Sequence, residues 1–564
     1  MHIMNKNKKT ITLSLTMVLA AVLMLCGCDQ KGGGEERTEY IAVQMSEGDN
    51  WSIIDKDGKV VVEEEYPAEA FISAIRDGVF WVHQDGKFQL FSIENPKQPI
   101  TDDEFTSVTN FNGGRAAVTI ANQPIRIINA KGAIVATLSE NIRYCFPFSN
   151  DGYAIFRTFD NKSGIINASG KIVVNAEYSS LGSISEGVAL AQKAPEDKEM
   201  LILDMNGKQQ GEINTEKYNL SFASLNESKF LAMPQDTENG SVIALDKNGK
   251  KLFDIKKAKE VPWDEYYKGG YLVFGNGKGK YGVANDKGEV VIRPKYDTMT
   301  NIGNGEFYAK KGDKMGVVNA KDETIIDFNY EYQGALLNDN YMLQDASSFS
   351  IVNKEGKELA SFDKWAANSM GYAEYVNVDA IADALVRNID IFESAKPAKQ
   401  ELKDSNLDID RMHYSSSIQK NLSIFDDKLN SSFTVLYNGN LAEEKFHEEQ
   451  VNDGWFTTTN RVSDGWQWTN VLPKSLNGSV VLNNLGISTH EFYELVLSKL
   501  AKGHEKQPMI NEFKKRVKSG GKMLDVYTRL TECDNNELLL DIIYIPSSSV
   551  STDVTKADSV VVVN

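Results

Sequence analysis

The chain has 564 residues, of which 41% are hydrophobic, 10% aromatic and 25% charged. That balance excludes wholesale disorder and collagen-like structure. With 61 Lys and Arg against 79 Asp and Glu the net charge is −18, and no basic patch stands apart in the sequence. Phosphate repels such a surface, so no nucleic-acid partner is expected.

Lys6, Lys8 and Lys9 form a basic start, and Ile11 to Leu25 an apolar core with small and hydroxyl residues mixed in. This reads as a secretory signal, too short and too early for a stable membrane span. The stretch ends Leu25-Cys26-Gly27-Cys28, which resembles the bacterial lipobox cut by signal peptidase II. That resemblance implies a signal peptide over residues 1–27 and lipidation at Cys28, the first mature residue. It implies a partner too, the lipid bilayer, and a bacterial cell-envelope address on the periplasmic or extracellular face. Acyl chains there give durable anchoring, since each buried methylene contributes about 0.8 kcal/mol. Losing three lysines with residues 1–27 lowers the net charge from −18 to −21. Residues 28–39 are polar and Gly-rich, a flexible tether. Cys145 and Cys533 lie far apart in different parts of the chain, so a disulfide framework is not expected.

The middle is periodic. An apolar run, a polar turn with Gly and a second apolar run occur around Gly58, Gly132, Gly170, Gly207, Gly249, Gly288 and Gly356, with weaker copies at Asn95 and Asp322. The spacing is about three dozen residues. Each copy reads as a β-hairpin whose glycine supplies φ > 0 after a turn-forming Asn, Asp or Lys. A second Gly marker runs in phase at Gly78, Gly114, Gly152, Gly187, Gly270 and Gly305. Between the two markers recurs a tyrosine: Tyr66, Tyr144, Tyr178, Tyr218, Tyr267, Tyr296 and Tyr332. These rings are expected to pack between neighbouring units.

Lys280-Tyr281-Gly282-Val283, the turn at Gly288, and Arg293-Pro294-Lys295-Tyr296-Asp297 together resemble the WG (KWG) repeat family. Lys314-Met315-Gly316 and Lys162-Ser163-Gly164 carry Met or Ser at the tryptophan place, while Asn50-Trp51-Ser52 keeps the tryptophan and loses the glycine. The resemblance covers about residues 45 to 360. It implies a mainly β repeat fold and a bacterial surface or secreted setting, and it implies no chemistry. About nine units over 40–363 are expected to form a β-propeller-like array, with an open β-solenoid as the alternative.

Residues 364–564 lose the period and are expected to form a smaller α+β domain of no recognised family. Val376 to Phe392 has helical periodicity, and Ser488 or Thr489 starts a second helix that runs to about Lys502. Phe433 to Tyr437 reads as a strand ended by Asn438-Gly439, and Met523 to Thr531 pairs with Glu537 to Ile545 around Asp534-Asn535-Asn536. Trp455, Trp466 and Trp468 form an aromatic group, a candidate partner-binding platform for sugar or peptide and otherwise a core element.

No catalytic or metal-ligating set is expected. Asp55-Lys56-Asp57-Gly58 and Asp246-Lys247-Asn248-Gly249 resemble pieces of a calcium loop but lack the distal ligands, so hairpin turns explain them. His490 and Glu494 lack a second histidine at zincin spacing. No phosphate loop, nucleophile elbow or dinucleotide fingerprint is present, and no cofactor is implied. The expected function is a non-enzymatic envelope scaffold or binding module for protein or glycan partners. The rivals are an envelope hydrolase or lyase with acids clustered at the propeller mouth, and a structural spacer for the C-terminal domain. The sequence gives no sign of acids clustered in phase with the repeat.

Overall fold

The computed structural model describes residues 39–220, 225–234, 241–262, 265–337, 339–345, 347–366, 368–394, 415–420, 428–452, 457–506, 512–519 and 522–546. Cys28, the signal stretch and tether residues 28–38 lie outside them. The chain divides into two compact units, Met1–Tyr375 and Val376–Asn564.

In the first unit each sequence copy becomes a small antiparallel sheet. Blade 1 holds Tyr40–Gln44, Trp51–Asp55 and Val60–Tyr66, and blade 2 holds Phe71–Ile72, Val79–Gln84 and Lys87–Ser92. Blade 3 runs from Ser107–Val108 to Ile134–Thr137, blade 4 from Ile142–Cys145 to Ile172–Tyr178, and blade 5 from Ser180–Leu181 to Gln209–Asn214. Blade 6 runs from Tyr218–Leu220 to Lys251–Asp254, blade 7 from Tyr271–Gly275 to Val290–Tyr296, blade 8 from Thr298–Gly303 to Thr324–Tyr330, and blade 9 from Tyr332–Leu337 to Glu358–Phe362. Middle strands are buried on both faces, as in Trp51–Asp55 and Val79–Gln84. Exposed apolar side chains at Val60, Ile134, Ile172 and Val291 fall on last strands, which puts those strands at the rim.

Each blade buries its faces against its neighbours. Trp51 and Tyr66 of blade 1 pack with Phe80 and Phe91 of blade 2, and the pattern continues blade by blade to Tyr308 and Tyr341 across blades 8 and 9. The array then closes: Ile41, Val43 and Ile54 of blade 1 share a core with Met342, Ile351 and Phe362 of blade 9. Lys364–Trp365 pairs with Tyr40–Gln44 in the register Val43↔Trp365 and so completes blade 1 from the far end of the repeat. The first unit is therefore a closed nine-bladed β-propeller, and the open solenoid does not occur.

The repeat body extends past the expected boundary at 363/364. Residues 364–375 cross blades 1 to 4. Ala74 N donates to Asn368 O at 2.9 Å, and Asn368 Nδ2 donates to Ile72 O at 3.0 Å. Ala373–Glu374 adds a fifth strand to blade 4 opposite Tyr144 and Cys145. Ala366, Met370 and Ala373 enter the cores between blades 1 and 2, 2 and 3, and 3 and 4 in turn. The segment lacks the repeat pattern, yet its apolar residues are spaced to match successive blade seams.

The second unit has helix α1 (Val378–Glu393), capped by Asn377, and helix α2 (Thr489–Leu500), whose Ser488 and Glu491 form a capping box. Both lie near their expected positions. A seven-stranded antiparallel sheet has the order Ser415–Lys420, Leu429–Asn452, Thr457–Leu482, Glu537–Pro546, Lys522–Cys533, Glu512–Ser519, Glu505–Lys506. Alternate residues Leu538, Leu540 and Ile542 share a core with Ile381, Leu385, Phe492 and Val496 of the helices. The expected strand end at Asn438-Gly439 is not a turn. The strand continues to Asn452, and the pairing only shifts register between Asn438 and Asn440, so the Asn-Gly pair is absorbed as an irregularity. Asn535 and Asn536 do form the expected tight turn, both with positive φ. Among the described residues no helix is long and apolar enough to cross a membrane.

Candidate functional site

The polar chemistry that repeats around the ring lies in two kinds of turn. In the turn before the last strand, an Asx side chain gathers two backbone N–H groups. Asp55 Oδ1 accepts from Asp57 N at 3.0 Å and from Lys59 N at 2.9 Å. The same pair of bonds forms at Asn129, Asn167, Asp204, Asp246, Asn285, Asn319 and Asn353. One carboxylate oxygen of Asp55 and of Asp246 is thus committed to the turn, as expected for a hairpin. The marker glycine completes the turn at positive φ and lies against the preceding blade. At Gly170 (φ +76°) a Cβ would come within 2.4 Å of Ala136 Cβ, and at the ring seam a Cβ on Gly58 (φ +80°) would meet Ala360 at 2.6 Å. Gly132, Gly207, Gly249, Gly288 and Gly356 also have positive φ.

The second turn, between the first two strands, holds a feature the sequence reading missed. Asp77 of blade 2 accepts from Gly114 N of blade 3 at 2.8 Å, and Asp151 of blade 4 accepts from Gly187 N of blade 5 at 2.9 Å. Glu186 of blade 5 accepts from Ser228 N of blade 6 at 3.0 Å, and Glu227 of blade 6 accepts from Gly270 N of blade 7 at 3.0 Å. Acids in phase with the repeat therefore do exist, and they clip one blade to the next. The signal was visible as the Asp or Glu before Gly78, Gly152 and Gly187.

The recurrent tyrosines occupy two different places. Tyr66, Tyr178 and Tyr296 end last strands, opposite Trp51, Ser163 and Tyr281. All three are buried between blades. Tyr296 stacks on Phe328 and donates through its hydroxyl to Asp322 Oδ1 at 2.7 Å in blade 8. Burial, then the Asp322 carboxylate, push the Tyr296 phenol well above the ordinary tyrosine value. In blade 8 this position belongs to Tyr330, opposite Met315, whereas Tyr332 lies two residues on and is 61% exposed. Tyr144 and Tyr218 lie instead on first strands, and Tyr267 just precedes its blade's first ladder strand.

Of the tryptophan group, Trp455 lies outside the described residues. Trp466 and Trp468 both lie on the strand Thr457–Leu482, opposite Glu444 and Leu441. His490 faces Glu532 at 2.8 Å, and Glu491 is taken by the helix cap. Cys145 is buried and Cys533 partly exposed, both free thiols. Burial pushes the Cys145 thiol up to about 12.

Asp390, Glu393 and His504 in the second unit bring one ligand atom each within 4.8 Å of one another. The Lys515 ammonium lies 2.6 Å from Asp390 and 3.5 Å from Glu393, so this group of acids already holds its cation.

A family model described as the WG containing repeat matches residues 51–88, 164–194 and 281–314. Similar solved structures include a eukaryotic initiation factor at 11% identity, covering 60% of this chain and 100% of that one with a TM-score of 0.41. BamB from Moraxella catarrhalis is similar at 14% identity, covering 52% and 93% with a TM-score of 0.28. An uncharacterized protein from Listeria monocytogenes is similar at 10% identity, covering 48% and 100% with a TM-score of 0.26. No curated protein sequence matches the chain. The matched segments begin at Trp51, at Gly164 and at Tyr281, the WG place of blades 1, 4 and 7, and the chain is accordingly a WG-repeat-containing protein.

Proposed function

We propose that this protein is a lipid-anchored scaffold of the bacterial cell envelope. In this reading Cys28 carries the acyl chains, residues 28–39 act as the tether, and the propeller offers a rigid platform to protein or glycan partners. The observation that carries it is the use made of the acids in phase with the repeat. Asp77, Asp151, Glu186 and Glu227 each accept a backbone N–H of the next blade. A catalytic mouth needs carboxylates aimed at a reacting group, and these are spent on assembly, which supports a platform over a hydrolase or lyase. The nine-fold interleaving of apolar faces supports it too, since a closed ring holds its surface loops in fixed relative positions.

Two experiments test the reading. Alkyne-tagged fatty acid fed to producing cells should label the full chain, and Cys28→Ser should abolish the label and release the protein from membranes. Absence of label on the native chain would overturn the anchor. For the platform, photo-crosslinking in intact cells should trap a protein or glycan on the native chain. Trp466→Ala/Trp468→Ala should lose any partner bound through these residues while leaving the propeller's circular dichroism unchanged.

A further inference from the structure

The second unit holds a buried polar cluster that neither the repeat nor the proposed platform explains. Glu393, the last residue of α1, has its side chain wholly shielded from solvent, and the His504 ring is 1% exposed. His504 lies just past the end of α2. Its Nδ1 is 2.7 Å from Leu500 O, and its Nε2 is 2.7 Å from Glu393 Oε2. A carbonyl oxygen only accepts, so Nδ1 must carry a hydrogen. The remaining contact, Nε2 to a carboxyl oxygen, then forms only if one proton lies between them. Without it two lone pairs would face each other at hydrogen-bond distance in a dry site.

We infer that the single proton shared by His504 and Glu393 is a pH-sensitive lock that fastens the C-terminal end of α1 to the turn after α2. The surroundings favour the cation on the ring. Leu500 O is one of the last carbonyls of α2, where the helix dipole is negative. The charged groups facing the pair are Asp390 on α1 and Lys515 on Glu512–Ser519, joined to each other at 2.6 Å. Lys515 also lies 3.5 Å from Glu393. From Lys522–Cys533 comes the uncharged Thr528 hydroxyl, which donates to Glu393 Oε1, and from Glu512–Ser519 the Phe513 ring stands edge-on to the imidazole at 5.9 Å. Burial disfavours the charged ring and Lys515 opposes it as well, but Glu393 and the Leu500 carbonyl outweigh them and hold His504 above the ordinary histidine value.

The sign follows. A group whose folded value is raised stabilises fully below its unfolded value near 6.5, and that contribution disappears as pH rises through the folded value. The lock is closed in mildly acidic medium and opens as pH rises through the raised folded value. Opening leaves Glu393 with Thr528 and Lys515 and leaves the ring with Leu500 alone, so the end of α1 and the turn at 501–504 loosen while the sheet persists.

The test is hydrogen–deuterium exchange of the full chain at pH 6 and pH 9, corrected for intrinsic exchange, on peptides covering 386–394 and 500–506. Protection there should fall at pH 9 relative to pH 6, while peptides of blades 3 and 4 hold theirs. Glu393→Gln tests the chemistry. Its amide donates to a neutral Nε2, so the contact persists without a shared proton and protection should become flat between the two pH values. A 15N spectrum of labelled histidine should show the His504 ring doubly protonated at pH 6 and losing its charge above the ordinary histidine value. Equal protection at both pH values in the native chain, a neutral ring at pH 6, or pH dependence retained in Glu393→Gln would each overturn the lock. So would protection at pH 9 restored by micromolar zinc, because the cluster would then be a metal site.

Discussion

Ser52 Oγ accepts the backbone N–H of Glu64 at 2.9 Å, in the place where blades 4, 7 and 8 carry Gly164, Gly282 and Gly316. At those glycines a Cβ would meet the carbonyl of the last strand: Val174 O at 2.6 Å, Ile292 O at 2.4 Å and Ile326 O at 2.6 Å. The last strand bulges there, as the broken register between Tyr281/Val283 and their partners shows. The glycine of the WG pair thus makes room for a bulge, and the residue before it faces the strand-ending tyrosine. Blade 1 tolerates a side chain because Glu64 takes a positive φ of 42° and the serine hydroxyl bonds to it.

Gly282→Ala should therefore lower unfolding stability by about 1–3 kcal/mol through overpacking against backbone. Ser52→Ala should cost about 1 kcal/mol, the loss of one partly buried hydrogen bond. Urea midpoints of the two variants, read at the propeller transition, check both values.

The Arg143–Glu374 pair fastens the ring-crossing segment to blade 4 at 3.4 Å, with side chains only 9% and 11% exposed. Removing one member takes the opposite charge from the other in a poorly hydrated site, a loss of about 3 kcal/mol. Glu374→Ala should lower the melting temperature and raise proteolysis within 366–375. A variant with an unchanged melting temperature would show that the segment adds nothing to the ring.

The Tyr296–Asp322 contact predicts a response to acid. Burial works upward on Asp322, but bonds from Lys295 and Tyr296 prevail and hold its carboxyl below the ordinary carboxylate value. Its contribution is therefore present at neutral pH and is lost as pH falls below about 4. Tyr296→Phe should lower stability at pH 7 by about 1 kcal/mol. The deficit should shrink as the medium is acidified through that range, measured by guanidinium melts in a pH series.

Cys145 and Cys533 should differ in reactivity. The Cys145 thiol is buried between blades 3 and 4 and pushed up to about 12, so at pH 8 it carries almost no thiolate. Of these two thiols, native protein should react with an alkylating reagent at Cys533 and not at Cys145, and unfolded protein at both. Mass spectrometry of alkylated peptides distinguishes the two sites.

Much of the ring was legible in the sequence because its hairpins are local. The Asx turn, the positive-φ glycine and the apolar strands on either side all lie within about a dozen residues, so spacing alone revealed them. The closure was not legible. Lys364–Trp365 pairs with Val43 and Gln44 from the other end of the repeat, and no local pattern encodes a partner that distant. Tyr332 was confused with Tyr330 because two tyrosines two residues apart fit the same spacing, and only the register opposite Met315 separates them. The acid clips escaped notice because an acid before a glycine already suits a tight turn, and its second role lies on the neighbouring blade. Asn438-Gly439 misled for the opposite reason: its turn preference is real, but a long hairpin absorbs it as a shift in register.

The claim on which the rest depends is that the repeat closes into a ring through residues 364–365. Gln44 and Lys364 are direct cross-strand partners in this closure. Gln44→Cys/Lys364→Cys should form a disulfide within one chain under mild oxidation, seen as a single crosslinked peptide pair by non-reducing mass spectrometry. Two free thiols, or crosslinks only between chains, would contradict the closed propeller.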